Sequence, residues 1–189
     1  MTSFLDSHSH ESFFESSGIC EHSTLAKAMA GLRPAERVLM SYDGTVTKVL
    51  ESWFWERVNV VVESQQERAL QTSNAVDPVR VLYRSVSLRG EESKKTFCHA
   101  ESIIFPERLD GDLYEALLAG ELGIGQLLRR FVLETYRQII GIQIGGTRVG
   151  RDCASPPFQA LPPSAIARLY QVLWKEQPAM MIREHFTLD

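Results

Sequence analysis

The sequence predicts an α+β fold in which helices occupy the first third and antiparallel strands most of the remainder. Three observations predict it. Between Thr24 and Trp53 apolar residues recur at the three-and-four spacing of a helix face. From Val58 onward, β-branched runs and strict alternation replace that period. The alternating runs also come in neighbouring pairs joined by short polar turns, as antiparallel hairpins do. A chain of 189 residues is long enough for one full hydrophobic core and short for two, so one domain over 24–189 is expected.

Composition narrows the partners. The hydrophobic share of 44% and charged share of 23% are ordinary for a soluble protein, and a net charge of -4 gives no reason to expect nucleic acid as a partner. The cysteines Cys20, Cys98 and Cys153 show no CxxC spacing, which predicts reduced thiols and a cytoplasmic setting. No apolar run approaches about 18 residues and no signal-peptide pattern opens the chain, so no membrane partner is expected. Met1 to Ser23 reads as a flexible arm. Its His8, His10 and His22 lack convincing ligand spacing, and no metal is expected there. Either a monomer or a small homo-oligomer suits this composition.

The elements follow in order. Thr24 is placed to cap a helix whose face is Leu25, Ala28, Met29 and Leu32. Pro34 opens a second short helix running to Ser41, and Tyr42, Asp43 and Gly44 form a tight loop. A third helix, capped by Thr45 or Thr47, sets Val46, Val49, Leu50 and Trp53 on one side, and the cluster Trp53, Phe54, Trp55 is expected in the core. Val58 to Glu63 predicts a strand, and the polar stretch from Ser64 to Asp77 predicts a loop closed by Pro78. Val79 to Gly90 and Thr96 to Phe105 predict a hairpin across the charged turn GEESKK. Asp110 to Ala119 reads as a helix ended by Gly120, and Glu121 to Arg130 as a short helix punctuated by Gly123 and Gly125. That lone GxG does not follow a strand and is no dinucleotide or P-loop motif. Val132 to Ile144 predicts a further strand and Gly145 to Pro163 a loop; Ala167 to Trp174 and Pro178 to Leu188 predict a final hairpin.

Two strands carry a charge in the wrong place. Alternation puts Leu82, Arg84, Val86 and Leu88 on one face, so Arg84 sits among apolar residues, where an unpaired guanidinium costs several kcal/mol, of order ~3 or more. Glu184 repeats the anomaly among Met180, Ile182, Phe186 and Leu188. One reading joins the two as a structural ion pair. The other makes them a site, with Arg84 meeting a small carboxylate under apolar cover and Glu184 receiving a hydroxyl. Arg137 is a weaker candidate for a second carboxylate. His99 lacks a nucleophile beside it, and His185, on a face with Arg183 and Thr187, is expected to be exposed.

The segments DGTVTKVLE (Asp43 to Glu51), LYRSVSL (Leu82 to Leu88), LGIGQLLRR (Leu122 to Arg130) and MMIREHF (Met180 to Phe186) together resemble the chorismate lyase family, over about Arg33 to the C-terminus. The resemblance implies a single antiparallel sheet of about six strands with helices covering an enclosed ligand pocket. It implies removal of pyruvate from chorismate to leave 4-hydroxybenzoate, with no metal or organic cofactor. It also implies that Arg84 binds the ring carboxylate, that Glu184 contacts the hydroxyl, that a backbone contact falls near Ile124, and that a further contact falls on Val46. Val46 stands where a methionine is familiar, Ile124 replaces a leucine, and the Gly145 to Pro163 loop looks long; these departures bear on the substrate more than on the fold. Two alternatives stay open: a related small-acid enzyme of a natural-product pathway, and a non-catalytic aromatic-acid binder of the same fold.

Overall fold

The structure is a computed structural model and describes residues 22–71, 77–153 and 158–188. The expected arm, with His8, His10 and Cys20, lies outside those residues apart from the backbone of 22 and 23. The elements in chain order are α1 (His22–Met29), α2 (Pro34–Ser41), α3 (Val46–Phe54), β1 (Val58–Leu70), β2 (Val79–Gly90), β3 (Thr96–Ile104), α4 (Gly111–Leu118), α5 (Ile124–Arg130), β4 (Tyr136–Ile144), β5 (Thr147–Gly150), β6 (Ile166–Trp174) and β7 (Gln177–Phe186). The strands form one sheet in the order β1-β2-β3-β7-β6-β4-β5, and every neighbouring pair is antiparallel. The α+β class and the antiparallel sheet are as the sequence predicts, with seven strands in place of six.

Several boundaries differ, each for a local reason. β1 continues through the polar stretch expected to be a loop, because it is an edge strand: only one side must pair, and its side chains can be solvated on both faces. Cross-strand pairs such as Arg80 with Glu67, at 2.5 Å, support that half. β4 starts at Tyr136 because Val132, with φ 52°, takes a left-handed turn after α5. The seventh strand, β5, lies inside the expected Gly145 to Pro163 loop and hairpins onto β4. α1 starts at His22, so Thr24 falls inside the helix and does not cap it. Trp55 ends α3 at φ 56°, which turns its indole outward to 90% exposure, contrary to its expected place in the core. Its neighbour Phe54 remains half-buried and stacks on Phe97, with ring centroids 3.7 Å apart.

Both faces of the sheet are covered. On one face α1 to α3 pack over Leu88, Cys98 and Phe186, while α4 and α5 pack over Leu82, Ile104, Met180 and Ile182. Cys153, Phe158 and Leu161 cover Val81, Tyr83, Ile103, Leu169 and Met181 on the other. That second cover corrects the expectation for the outer face of β7. Arg183 is buried against Glu101 and donates to the carbonyls of Cys153, at 3.0 Å, and Gln159. His185 is half-buried beside His99. Among the described residues no helix is long and apolar enough to cross a membrane.

Candidate active site

On the helix-covered face, two apolar clusters leave a row of polar side chains between them. Register places it: Arg84 on β2 lies opposite Ser102 on β3, which lies opposite Ile182 on β7. One residue pair further along, Val86, Ala100, Glu184 and Arg168 line up across β2, β3, β7 and β6. Arg84 and Glu184 therefore share a face but stand two strands apart, about 10 Å across the sheet, with room for a small ring between their head groups. A cleft of about 600 Å3, counted out to its mouth, lies over this row. Its floor includes Arg84, Ser102, Tyr170, Ile182 and Glu184; its walls are Gly44 to Thr47 where α3 begins and Gly123 to Gln126 where α5 begins. The two walls touch: a Cβ on Gly125 would stand 2.7 Å from Cγ2 of Thr45, so only glycine fits this approach.

Arg84 is 1% exposed, yet among the described residues no acid pairs with it. One terminal nitrogen donates to the Leu122 carbonyl at 2.7 Å, and Nε and Nη1 are buried with no hydrogen-bond partner. Burial pulls this guanidinium below its ordinary range. The structural ion pair with Glu184, one of the two readings of the sequence, is not formed. Glu184 instead takes Arg168, whose Nε donates to Oε2 at 2.6 Å, while the Tyr170 hydroxyl donates to Oε1 at 3.0 Å. Burial alone would lower Arg168, but the Glu184 carboxylate and Tyr170 beside it outweigh that and hold it above its ordinary value. Burial, followed by the Glu184 charge, pushes the Tyr170 phenol well up, which keeps it a proton donor. The cleft thus offers a cation with unused donors at one end and a hydrogen-bonded acid at the other.

The remaining sequence candidates also line the cleft. Val46 and Ile124 are the first residues of α3 and α5, where backbone N–H groups have no intrahelical acceptor. Arg137 reaches the same cleft from β4, donating through one terminal nitrogen to the Asp43 carbonyl at 2.6 Å, with its Nε buried and unpartnered. Arg168 and Tyr170 are the residues that sequence reasoning missed. The signal was present, because in ARLYQVLW Arg168 shares a strand face with Tyr170, Val172 and Trp174, the same anomaly that marks Arg84 and Glu184.

Comparison with known proteins places the chain in a family. A chorismate pyruvate-lyase of Mycobacterium tuberculosis H37Rv is 27% identical over 157 residues, covering 79% of this chain and 78% of that protein. One of Mycobacterium leprae is 27% identical over 158 residues, covering 79% of this chain and 72% of its own. A family model described as Rv2949c-like chorismate pyruvate-lyase matches residues 40–189, which takes in the whole sheet, both cleft walls and the polar row, and this chain belongs to that family.

Proposed function

We propose that the protein is a chorismate pyruvate-lyase that releases 4-hydroxybenzoate, and that the reaction takes place in this cleft. The observation that supports it best is Arg84: a buried guanidinium whose Nε and Nη1 are unused and which has no acid partner among the described residues is matched by a carboxylate accepting in the guanidinium plane. Arg84 then anchors the ring carboxylate. Glu184, its carboxylate oriented by Arg168 and Tyr170, accepts the ring hydroxyl across the ligand. Arg137 faces the enolpyruvyl carboxylate, and backbone groups at Val46 and Ile124 close on the ligand from the two walls.

The chemistry asks for orientation more than for a strong acid or base. The bond between the ring carbon and the ether oxygen breaks, and the hydrogen on the neighbouring hydroxyl-bearing carbon is lost. The ring electrons become aromatic, and the released enol carries that hydrogen equivalent into pyruvate. Atoms and electrons balance with no oxidant, reductant or co-reactant. Holding the carboxylate and hydroxyl fixes the ring, and Arg137 stabilises charge on the departing carboxylate-bearing fragment.

The direct test is to mix purified protein with chorismate and follow pyruvate and 4-hydroxybenzoate together. Equimolar release of both, lost in Arg84→Ala, supports the reading. Chorismate that binds and remains unchanged makes the protein a carrier, and pyruvate without 4-hydroxybenzoate indicates a different product.

A further inference from the structure

We propose that Arg168 is a positioning residue that sets two parts of the site at once, the Glu184 carboxylate on the floor and the chain that becomes the Gly44 to Val46 wall. The inference rests on the reading of the cleft given above. Arg168 is 1% exposed, and its planar guanidinium lies between two rings, with Cζ 5.3 Å from the Tyr170 centroid and 5.7 Å from that of Phe186. Flanked in this way, its donors point in fixed in-plane directions. Nε takes the Glu184 carboxylate at 2.6 Å. Nη1 takes the carbonyls of Leu39 and Tyr42, each at 2.5 Å.

Those carbonyls belong to the C-terminal end of α2. The Leu39 carbonyl is among the last four of the helix, which have no intrahelical donor, and Tyr42 is the residue that leaves the helix. A cation there is also favoured by the helix dipole. From Tyr42 the chain runs through Asp43 directly into the cleft wall, and Arg137 ties it a second time at the Asp43 carbonyl, 2.6 Å away. A carboxylate has about four acceptor directions. Arg168 and Tyr170 use two on Glu184, which leaves the others oriented for a ligand hydroxyl. One side chain therefore sets the spacing between the group that receives the hydroxyl and the wall that faces it.

The test uses two probes, 4-hydroxybenzoate and benzoate, which share the carboxylate and differ only in the hydroxyl. Wild-type protein is expected to bind 4-hydroxybenzoate roughly ten- to a hundredfold more tightly, the scale of a hydrogen bond to a charged acceptor. In Arg168→Met that preference falls below about threefold, while benzoate, held by Arg84, keeps its affinity within about threefold. Where Arg168→Met does not fold, Arg168→Lys reads the same ratio: lysine keeps a cation near Glu184 but cannot bridge to two carbonyls, so the preference again falls at least about threefold. A folded variant with the wild-type ratio overturns the assignment, leaving Arg168 as packing alone. Wild-type protein that binds neither acid refutes the reading of the cleft, and the assignment falls with it.

Discussion

Replacing Arg84 by methionine is expected to separate stability from binding. The guanidinium is 1% exposed and, among the described residues, makes one hydrogen bond, to the Leu122 carbonyl at 2.7 Å, and leaves Nε and Nη1 buried without a partner. Losing the Leu122 bond costs about 1 kcal/mol. Removing a buried cation that no acid compensates returns as much or more, since a group of this kind carries several kcal/mol, of order ~3, of desolvation penalty. The unliganded variant is therefore expected to be as stable as wild type, or up to about 2 kcal/mol more stable. Binding moves the other way: a desolvated arginine–carboxylate pair is worth about 3–5 kcal/mol to break, which is roughly two to four orders of magnitude in affinity. Urea unfolding measures the first quantity, and calorimetric titration with 4-hydroxybenzoate the second. An Arg84→Met protein that loses more than about 2 kcal/mol of stability, or that binds as wild type does, refutes the argument that this arginine awaits an anion.

Four further substitutions probe the cleft and the opposite face of the sheet. Glu184→Gln strands the Arg168 cation without its 2.6 Å partner in a buried setting, so urea unfolding should show a loss of about 3–5 kcal/mol, opposite in sign to Arg84→Met. Gly125→Ala pushes a Cβ to 2.7 Å from Cγ2 of Thr45 and is expected to cost about 1–3 kcal/mol and to weaken ligand binding; adding Thr45→Ser, which removes that methyl, should recover most of both in the same assays. Burial, then His99 and Arg183, hold His185 below its ordinary value of 6.5, so the fold favours its neutral form. The stability this supplies is complete above 6.5 and is lost as the pH falls from there through the lower folded value. The urea midpoint should drop on acidification over that window, and His185→Gln should flatten the drop; an equal drop in the variant would clear His185 of the effect.

The class of fold was legible in the sequence, and so were the two charges that the structure places in the cleft. Alternation is a property of one strand, so Leu82, Arg84, Val86 and Leu88 reveal a charge on an apolar face before any neighbour is known, and Met180 to Leu188 do the same for Glu184. Helix spacing likewise marks α2 and α3, whose bounds the structure reproduces closely. Pairing, by contrast, belongs to the order of the strands. Because β7 lies between β3 and β6, Glu184 meets Arg168 on β6, while Arg84, on the far side of β3, is left without an acid among the described residues. The same dependence explains the other departures. Ser64 to Leu70 becomes strand because β2 offers it a partner, and Arg183 is covered because Cys153 and Phe158 lie against it. Which residues carry misplaced charge was local and legible, and Arg168 and Glu184 meet within the single β6–β7 hairpin; that Arg84 stands two strands away from Glu184 was decided only when β3 and β7, far apart in the chain, became neighbours.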